Sequence, residues 1–346
     1  MNILDRVLGT DSGAGYRPTA FDDADSQMRK VLEKQAELGG KPIETLSPEE
    51  ARRQPTPADA VKAILRDRGM DPDADLGVAT RDITIDGAAG PLPARLYGPK
   101  GDDAKDRPVV VYFHGGGWVI ADIDVYDSSP RGVAKFADCL VISCEYRLAP
   151  EHKFPAAHDD AFAAYKWVLA NIAQYGGDPA RVAVMGESAG GNLAANVAIR
   201  ARDEGVQAPA HMVLVYPVAS NDMNSDSYVE WADAKPLGKP MMEWFVKHVF
   251  DDKSQTADPR INLVGADLNG LPDATIIRAE IDPLRSDGEK LAERLRAAGS
   301  QVRDHTFRGS THEFFGMALA VPDAAAAQTL ATHELKRAFG TAILPI

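Results

Sequence analysis

The sequence predicts an α/β fold: a mostly parallel sheet of eight strands flanked by helices, with a helical cap. Two observations carry this. Beyond Thr80, short β-rich runs alternate with helical ones, the order in which a parallel, helix-covered sheet is built. Two stretches, 1–80 and 219–270, break that alternation and read as two pieces of one accessory cap, leaving 81–218 and 271–346 as the main domain. A chain of 346 residues has room for one large core and such a smaller part.

The N-terminal stretch is polar and helix-compatible, as in Asp25 to Leu38. In Ser47-Pro48-Glu49-Glu50 the serine stands at the capping position and the proline in the first helical turn. Nothing before residue 81 resembles a strand. The strand-like runs are Arg81 to Ile85, Leu92 to Tyr97, Val109 to Phe113, Cys139 to Tyr146, Val182 to Met185, Met212 to Tyr216, Thr275 to Ala279 and Val302 to Phe307. Between and after them lie helical stretches at Ala156 to Gln174, from Ala189 onward, and at Asp323 to Phe339. The second interruption is polar and proline-containing, with one apolar helix at Met241 to Phe250.

Composition excludes several roles. Hydrophobic residues at 45% and charged residues at 26% are the balance of an ordinary globular protein. A formal net charge of −13 repels phosphate backbones, so nucleic acid is not an expected partner. The start, Met1 to Arg6, is acidic and lacks a signal-peptide pattern, and no apolar run reaches the roughly 20 residues of a membrane span. A cytoplasmic location is the default expectation. Cys139 and Cys144 lie in one apolar run, on opposite faces of a strand, where they cannot bridge.

The chemistry is concentrated in a few motifs. Gly186-Glu187-Ser188-Ala189-Gly190 sits between an apolar strand and an alanine-rich helix, where a sharp strand-to-helix turn lifts a serine hydroxyl clear of the sheet. The bland alternative is a tight turn in which Ser188 caps the helix. Val109 to Phe113 leads into His114-Gly115-Gly116-Gly117-Trp118, and such a loop can aim backbone N–H groups at developing negative charge. Gly115 and Gly116 are the expected donors, with Ala189 the third. His114 is assigned to fixing this loop rather than to proton transfer.

A serine hydroxyl needs a histidine to take its proton and a carboxylate to hold that histidine. Asp282 follows the run Thr275 to Ala279, and His312 follows Val302 to Phe307, giving the order Ser188, Asp282, His312. Asp287 is the main rival acid, but at the start of a helix it is expected to cap. No cluster has metal-ligand spacing, and the triple glycine lacks a P-loop lysine and the rest of a dinucleotide fingerprint, so neither metal nor cofactor is expected.

Taken together, His114-Gly-Gly-Gly-Trp118, Tyr146-Arg-Leu-Ala-Pro-Glu151, Gly186-Glu-Ser-Ala-Gly-Gly191, Asp282-Pro-Leu284 and His312 resemble the bacterial hormone-sensitive-lipase-like carboxylesterases of the α/β-hydrolase fold. The resemblance covers about residues 80 to 340. It implies a serine esterase for short- to medium-chain esters, a cap built from the two non-sheet segments, and a homodimer formed through a sheet edge. Two positions depart from the family pattern: Glu187 stands where Asp is common, and Glu313 where Gly is usual. Trp118, Glu187, Phe245, Phe314 and Phe315 are candidates for the substrate pocket, and Tyr146, Arg147 and Glu151 for bracing the glycine loop. An amidase or deacetylase using the same residues, and a non-catalytic small-molecule receptor on the same fold, stand as alternatives.

Overall fold

The computed structural model describes residues 20–101 and 105–342. The expectation drawn from Met1 to Arg6 lies outside them. Eight strands form one sheet among the described residues: β1 (Val78–Asp86), β2 (Pro91–Pro99), β3 (Arg107–Phe113), β4 (Leu140–Cys144), β5 (Gly177–Glu187), β6 (Met212–Val215), β7 (Ala274–Ile281) and β8 (Val302–Thr311). Their order is β1-β2-β4-β3-β5-β6-β7-β8. The β1–β2 and β2–β4 pairs are antiparallel, and every pair from β4 through β3 to β8 is parallel.

All seven residues of β3 are buried, because helices cover both faces of the sheet. Its period of two divides them: Val109, Val111 and Phe113 join one apolar core, Val110 and Tyr112 the other. The first core holds helices α6 (Ala156–Asn171), α7 (Ala189–Asp203) and α10 (Arg285–Ala297). The second holds α5 (Ser128–Ala137) and α11 (Pro322–Ala338), and reaches the N-terminal helices α2 (Ser26–Glu37) and α4 (Pro57–Asp67). Cys139 and Cys144 are free and buried, one in each core.

The segments outside the sheet are built from α1 (Ala20–Asp23), α2, α3 (Pro48–Ala51) and α4, then from α8 (Asp226–Glu230) and α9 (Lys239–Val249). Ser47 begins α3 with a capping box, its hydroxyl accepting from Glu50 N–H while the Glu50 carboxylate accepts from Ser47 N–H, and Thr56 and Asp59 repeat the device on α4. The two segments touch where Trp244 Nε1 donates to Leu46 O at 3.0 Å. Among the described residues no helix is long and apolar enough to cross a membrane.

Several element ends differ from expectation, some strands being longer and others, such as β4 and β6, shorter. β1 begins at Val78, inside the stretch expected to hold no strand, because Val78 pairs with Pro99. β5 begins at Gly177, and β8 runs on to Thr311, where it pairs with Ile281 after a register shift. The helix expected to reach Gln174 ends at Asn171 and tightens into a 3₁₀ turn. Leu65 is buried between α4 and the second core, so Leu65→Ala should lower unfolding free energy by about 2–4 kcal/mol, read from urea denaturation.

Candidate active site

Ser188 sits between the last residue of β5 and the first of α7, with φ 56° and ψ −117°. That left-handed conformation is uncommon for a residue with a side chain, and it follows from crowding on either side. A Cβ on Gly186 would stand 2.1 Å from Gly190 O, and one on Gly190 2.0 Å from Phe113 O. Both glycines are demanded by space. The turn is fixed further by Ser188 N–H donating to Val215 O at 2.9 Å. The serine is 5% exposed and lines a cavity together with His312.

Asp282 follows β7 and His312 follows β8 directly, which puts both at the same sheet edge as Ser188. His312 Nδ1 is 2.7 Å from Asp282 Oδ2, and Asp282 Oδ1 accepts from Leu284 N–H at 2.8 Å. Both side chains are buried, and the Tyr216 ring lies against the imidazole at 4.4 Å. Burial pulls the His312 pKa down, but the charge and hydrogen bond of Asp282, helped by Glu313 and Glu187, outweigh it and the net shift is upward. Nε2 is left as the nitrogen not committed to Asp282.

The glycine loop leaves β3 with Gly116, Gly117 and Trp118 all at positive φ. Gly116 and Gly117 line the cavity that holds Ser188, whereas Gly115 does not. A Cβ on Gly115 would lie 2.3 Å from Tyr126 Oη and 3.2 Å from Glu187 O, so this residue turns to the interior. Of the loop glycines it is therefore Gly116 and Gly117 that border the cavity beside Ser188. Ala189 opens α7, where a backbone N–H has no partner within the helix.

His114 braces the loop as expected: Nδ1 is 2.8 Å from Gly115 O and Nε2 is 3.3 Å from Glu145 Oε2. Tyr146 Oη donates toward His114 O and Gly115 O at 3.0 and 3.1 Å. Arg147 and Glu151 are placed differently from expectation. Arg147 Nε donates to Asp160 on α6 at 2.7 Å, and Glu151 accepts from Arg52 at the end of α3. Arg52 is the residue that reaches the loop, donating to Val119 O and Ala149 O, each at 2.8 Å. Its isolation in a polar sequence gave no signal.

Two cavities meet at Ser188, Gly117 and Phe245. One, of about 660 Å³, carries His312 and Glu313. The other, of about 620 Å³, is walled by Trp118, Val218, Tyr228, Met242 and Phe250. Trp118 and Phe245 are therefore pocket residues by position. Phe314 and Phe315 are not: both are fully buried in the second core, Phe314 against Phe307 and Tyr216. Asp287 is corrected as well, since its Oδ2 accepts from Ala219 and Ser220 N–H and anchors the start of the second non-sheet segment.

Glu187 also lies away from the two cavities. Its carboxylate is buried and accepts from Tyr112 Oη at 2.6 Å and Tyr216 Oη at 2.5 Å. Burial pushes its pKa up to about 7, against those hydrogen bonds and one from Ser129. Asp287 is pushed up to about 7 by burial too. Among the described residues no group of three or more His, Cys, Asp or Glu side chains is gathered as a metal site would need.

A serine on a strained strand-to-helix turn, set on a helix-flanked parallel sheet, defines the class of α/β hydrolases. The family described as alpha/beta hydrolase fold matches residues 110–316. The carboxylesterase NlhH of Mycobacterium tuberculosis is 41% identical over 294 residues, 82% of this chain and 91% of that protein. An ethyl acetate hydrolase of Pseudomonas putida is 33% identical over 288 residues, 82% of this chain and 88% of that one. The solved structure of a hyperthermophilic esterase from the archaeon Pyrobaculum calidifontis has a TM-score of 0.82 at 33% identity, covering 92% of this chain and 100% of that one. The chain belongs to the α/β-hydrolase family, in the hormone-sensitive-lipase-like branch that its motifs resemble.

A carboxyl group whose pKa is raised on folding adds stability below its unfolded pKa, and that stability is lost as pH rises through the folded value. For Glu187 the window runs from about 4.5 to about 7. Glu187→Gln should flatten the decline in unfolding free energy between pH 5 and 8 by an amount on the order of 2 kcal/mol, measured by urea titrations across that range.

Proposed function

We propose that the protein is a carboxylic ester hydrolase that works by acyl transfer to Ser188. The observation that carries this is the 2.7 Å Asp282–His312 pair opening on the cavity that also holds Ser188. Its relatives over most of its length are esterases, which supports the same reaction class. His312 Nε2 takes the Ser188 hydroxyl proton as Oγ attacks the ester carbonyl carbon, while Asp282 holds the imidazole by Nδ1–H. The N–H groups of Gly116, Gly117 and Ala189 receive the negative oxygen of the tetrahedral adduct, each donor being worth roughly 10²–10³ in rate.

Collapse of the adduct breaks the bond to the alcohol, which leaves with the proton from Nε2. Water then repeats the sequence on the acyl-enzyme and restores Ser188. Because Nε2 protonates the departing oxygen, the alcohol part belongs in the cavity with His312, and the acyl chain in the apolar cavity beyond Gly117 and Phe245. A small cavity walled by Trp118, Tyr228, Met242 and Phe250 suits short- to medium-chain acyl groups. The segments around α2 to α4 and α8 to α9 act as the cap. A homodimer through a sheet edge would use β1 or β8, the strands at the two ends of the order.

Ser188→Ala should cut turnover of 4-nitrophenyl acetate and butyrate by about 10⁴-fold or more and abolish labelling by a phosphonate, with unchanged circular dichroism. Full turnover in that variant overturns the mechanism. Protonated His312 cannot accept the serine proton, and its raised pKa keeps the proton on to higher pH. The acid limb of kcat/KM should therefore lie above the ordinary imidazole value of 6.5, as read from a pH–rate profile.

A further inference from the structure

Glu313 occupies a place that its own backbone disfavours. Its φ is 71°, in the left-handed region where a side chain costs about 1 kcal/mol relative to glycine. The residue is nonetheless well held: Tyr126 Oη donates to Oε1 at 2.6 Å, and the same oxygen stands 4.0 Å from His312 Nε2. The side chain is 22% exposed, and it lines the cavity assigned above to the alcohol part of the ester.

The walls of that cavity are otherwise apolar or uncharged, among them Ile43, Ala51, Ile120, Leu237 and Met241. No lysine or arginine lines it, so His312 and Glu313 are its titratable charges. Among the described residues Glu313 pairs with no lysine or arginine either, its ionic neighbour being the imidazole itself. Burial, helped by the Asp282 charge, raises the Glu313 pKa against the imidazole and the Tyr126 hydrogen bond, which both favour its ionised form, and the whole chain carries −13. A half-enclosed carboxylate with neutral walls attracts a cation and repels an anion far more strongly than one in open water.

We propose that Glu313 sets charge selectivity on the alcohol side of the ester: the cavity favours alcohols or phenols bearing a cationic group and rejects those bearing a carboxylate. The inference rests on the acyl-transfer reading above, which assigns this cavity to the leaving group. Departing alcohols whose ammonium group reaches the Glu313 carboxylate from across the leaving group pair with it while Nε2 delivers the proton. Glu313 is thus a specificity-determining residue, and Ser188, Asp282 and His312 carry the bond changes.

Three aryl acetates test this: 4-(trimethylammonio)phenyl, 4-tert-butylphenyl and 4-carboxyphenyl acetate, the first two nearly identical in shape. For each enzyme, kcat/KM of the charged esters is divided by that of the tert-butyl ester, so intrinsic activity cancels. Comparing wild type with Glu313→Gln, the cation ratio should fall at least tenfold and the carboxylate ratio should rise at least tenfold. Glu313→Gly, which the backbone accommodates without strain, should give the same result and keeps the test readable where Glu313→Gln folds poorly. Ratios that agree within twofold among the three enzymes overturn the inference and leave ester hydrolysis intact. Absence of turnover of all three esters by the wild type overturns the hydrolase reading and this inference with it.

Discussion

The structure depends on one steric constraint, the crossing of α7 over the ends of β3 and β5. At Gly190 the helix backbone comes so close to Phe113 and His114 that a single added carbon would meet their carbonyl oxygens at 2.0 and 2.4 Å. This contact forces Ser188 into its left-handed conformation, a local cost of order 1–3 kcal/mol that the buried sheet on both sides sustains. It also fixes the distance between Ser188 and the glycine loop, since the loop starts at the very carbonyls that Gly190 touches. Ser188 and the glycine loop are therefore placed by the same contact, not by two independent ones.

Electrostatically the site is one-sided. Asp282, Glu313 and Glu187 surround a single imidazole, and among the described residues none of the three carboxylates is matched by lysine or arginine. Tyr112 and Tyr216 donate to Glu187 and Tyr126 to Glu313, while Asp282 accepts from Leu284 N–H and holds His312 Nδ1. Asp282 is the largest of the charges that favour the protonated imidazole, with smaller contributions from Glu313 and Glu187. The tyrosines are themselves buried, and the carboxylates beside them hold their pKa values well above the ordinary one, after burial as the larger cause.

Much of the fold was legible because parallel strands buried on both faces need apolar runs, and the interiors of β3 to β7 supply them. The edges were not. Val78, Gly177 and Thr311 belong to strands through main-chain pairing, which asks nothing of the side chain. Ser188, Asp282 and His312 could be found from motif and order along the chain. Which glycine of three faces the cavity could not, because that depends on local backbone rotation. Phe314 and Phe315 misled for a related reason: they follow His312 in sequence, yet the turn after it sends both into the core. Glu313 stood out as a departure in the sequence, but its 4.0 Å approach to Nε2 needs the left-handed turn to be seen.

Arg52 ties the N-terminal non-sheet segment to the main domain at one point. Its guanidinium binds Val119 O, Ala149 O and both carboxylate oxygens of Glu151, so the end of α3 is stapled to the shoulder of the glycine loop. Where α9 meets the N-terminal segment, Trp244 gives Leu46 a single hydrogen bond. By hydrogen bonds the N-terminal segment is tied more firmly to the glycine-loop side than to α9, where apolar packing of Ile43 and Leu46 makes up most of the contact.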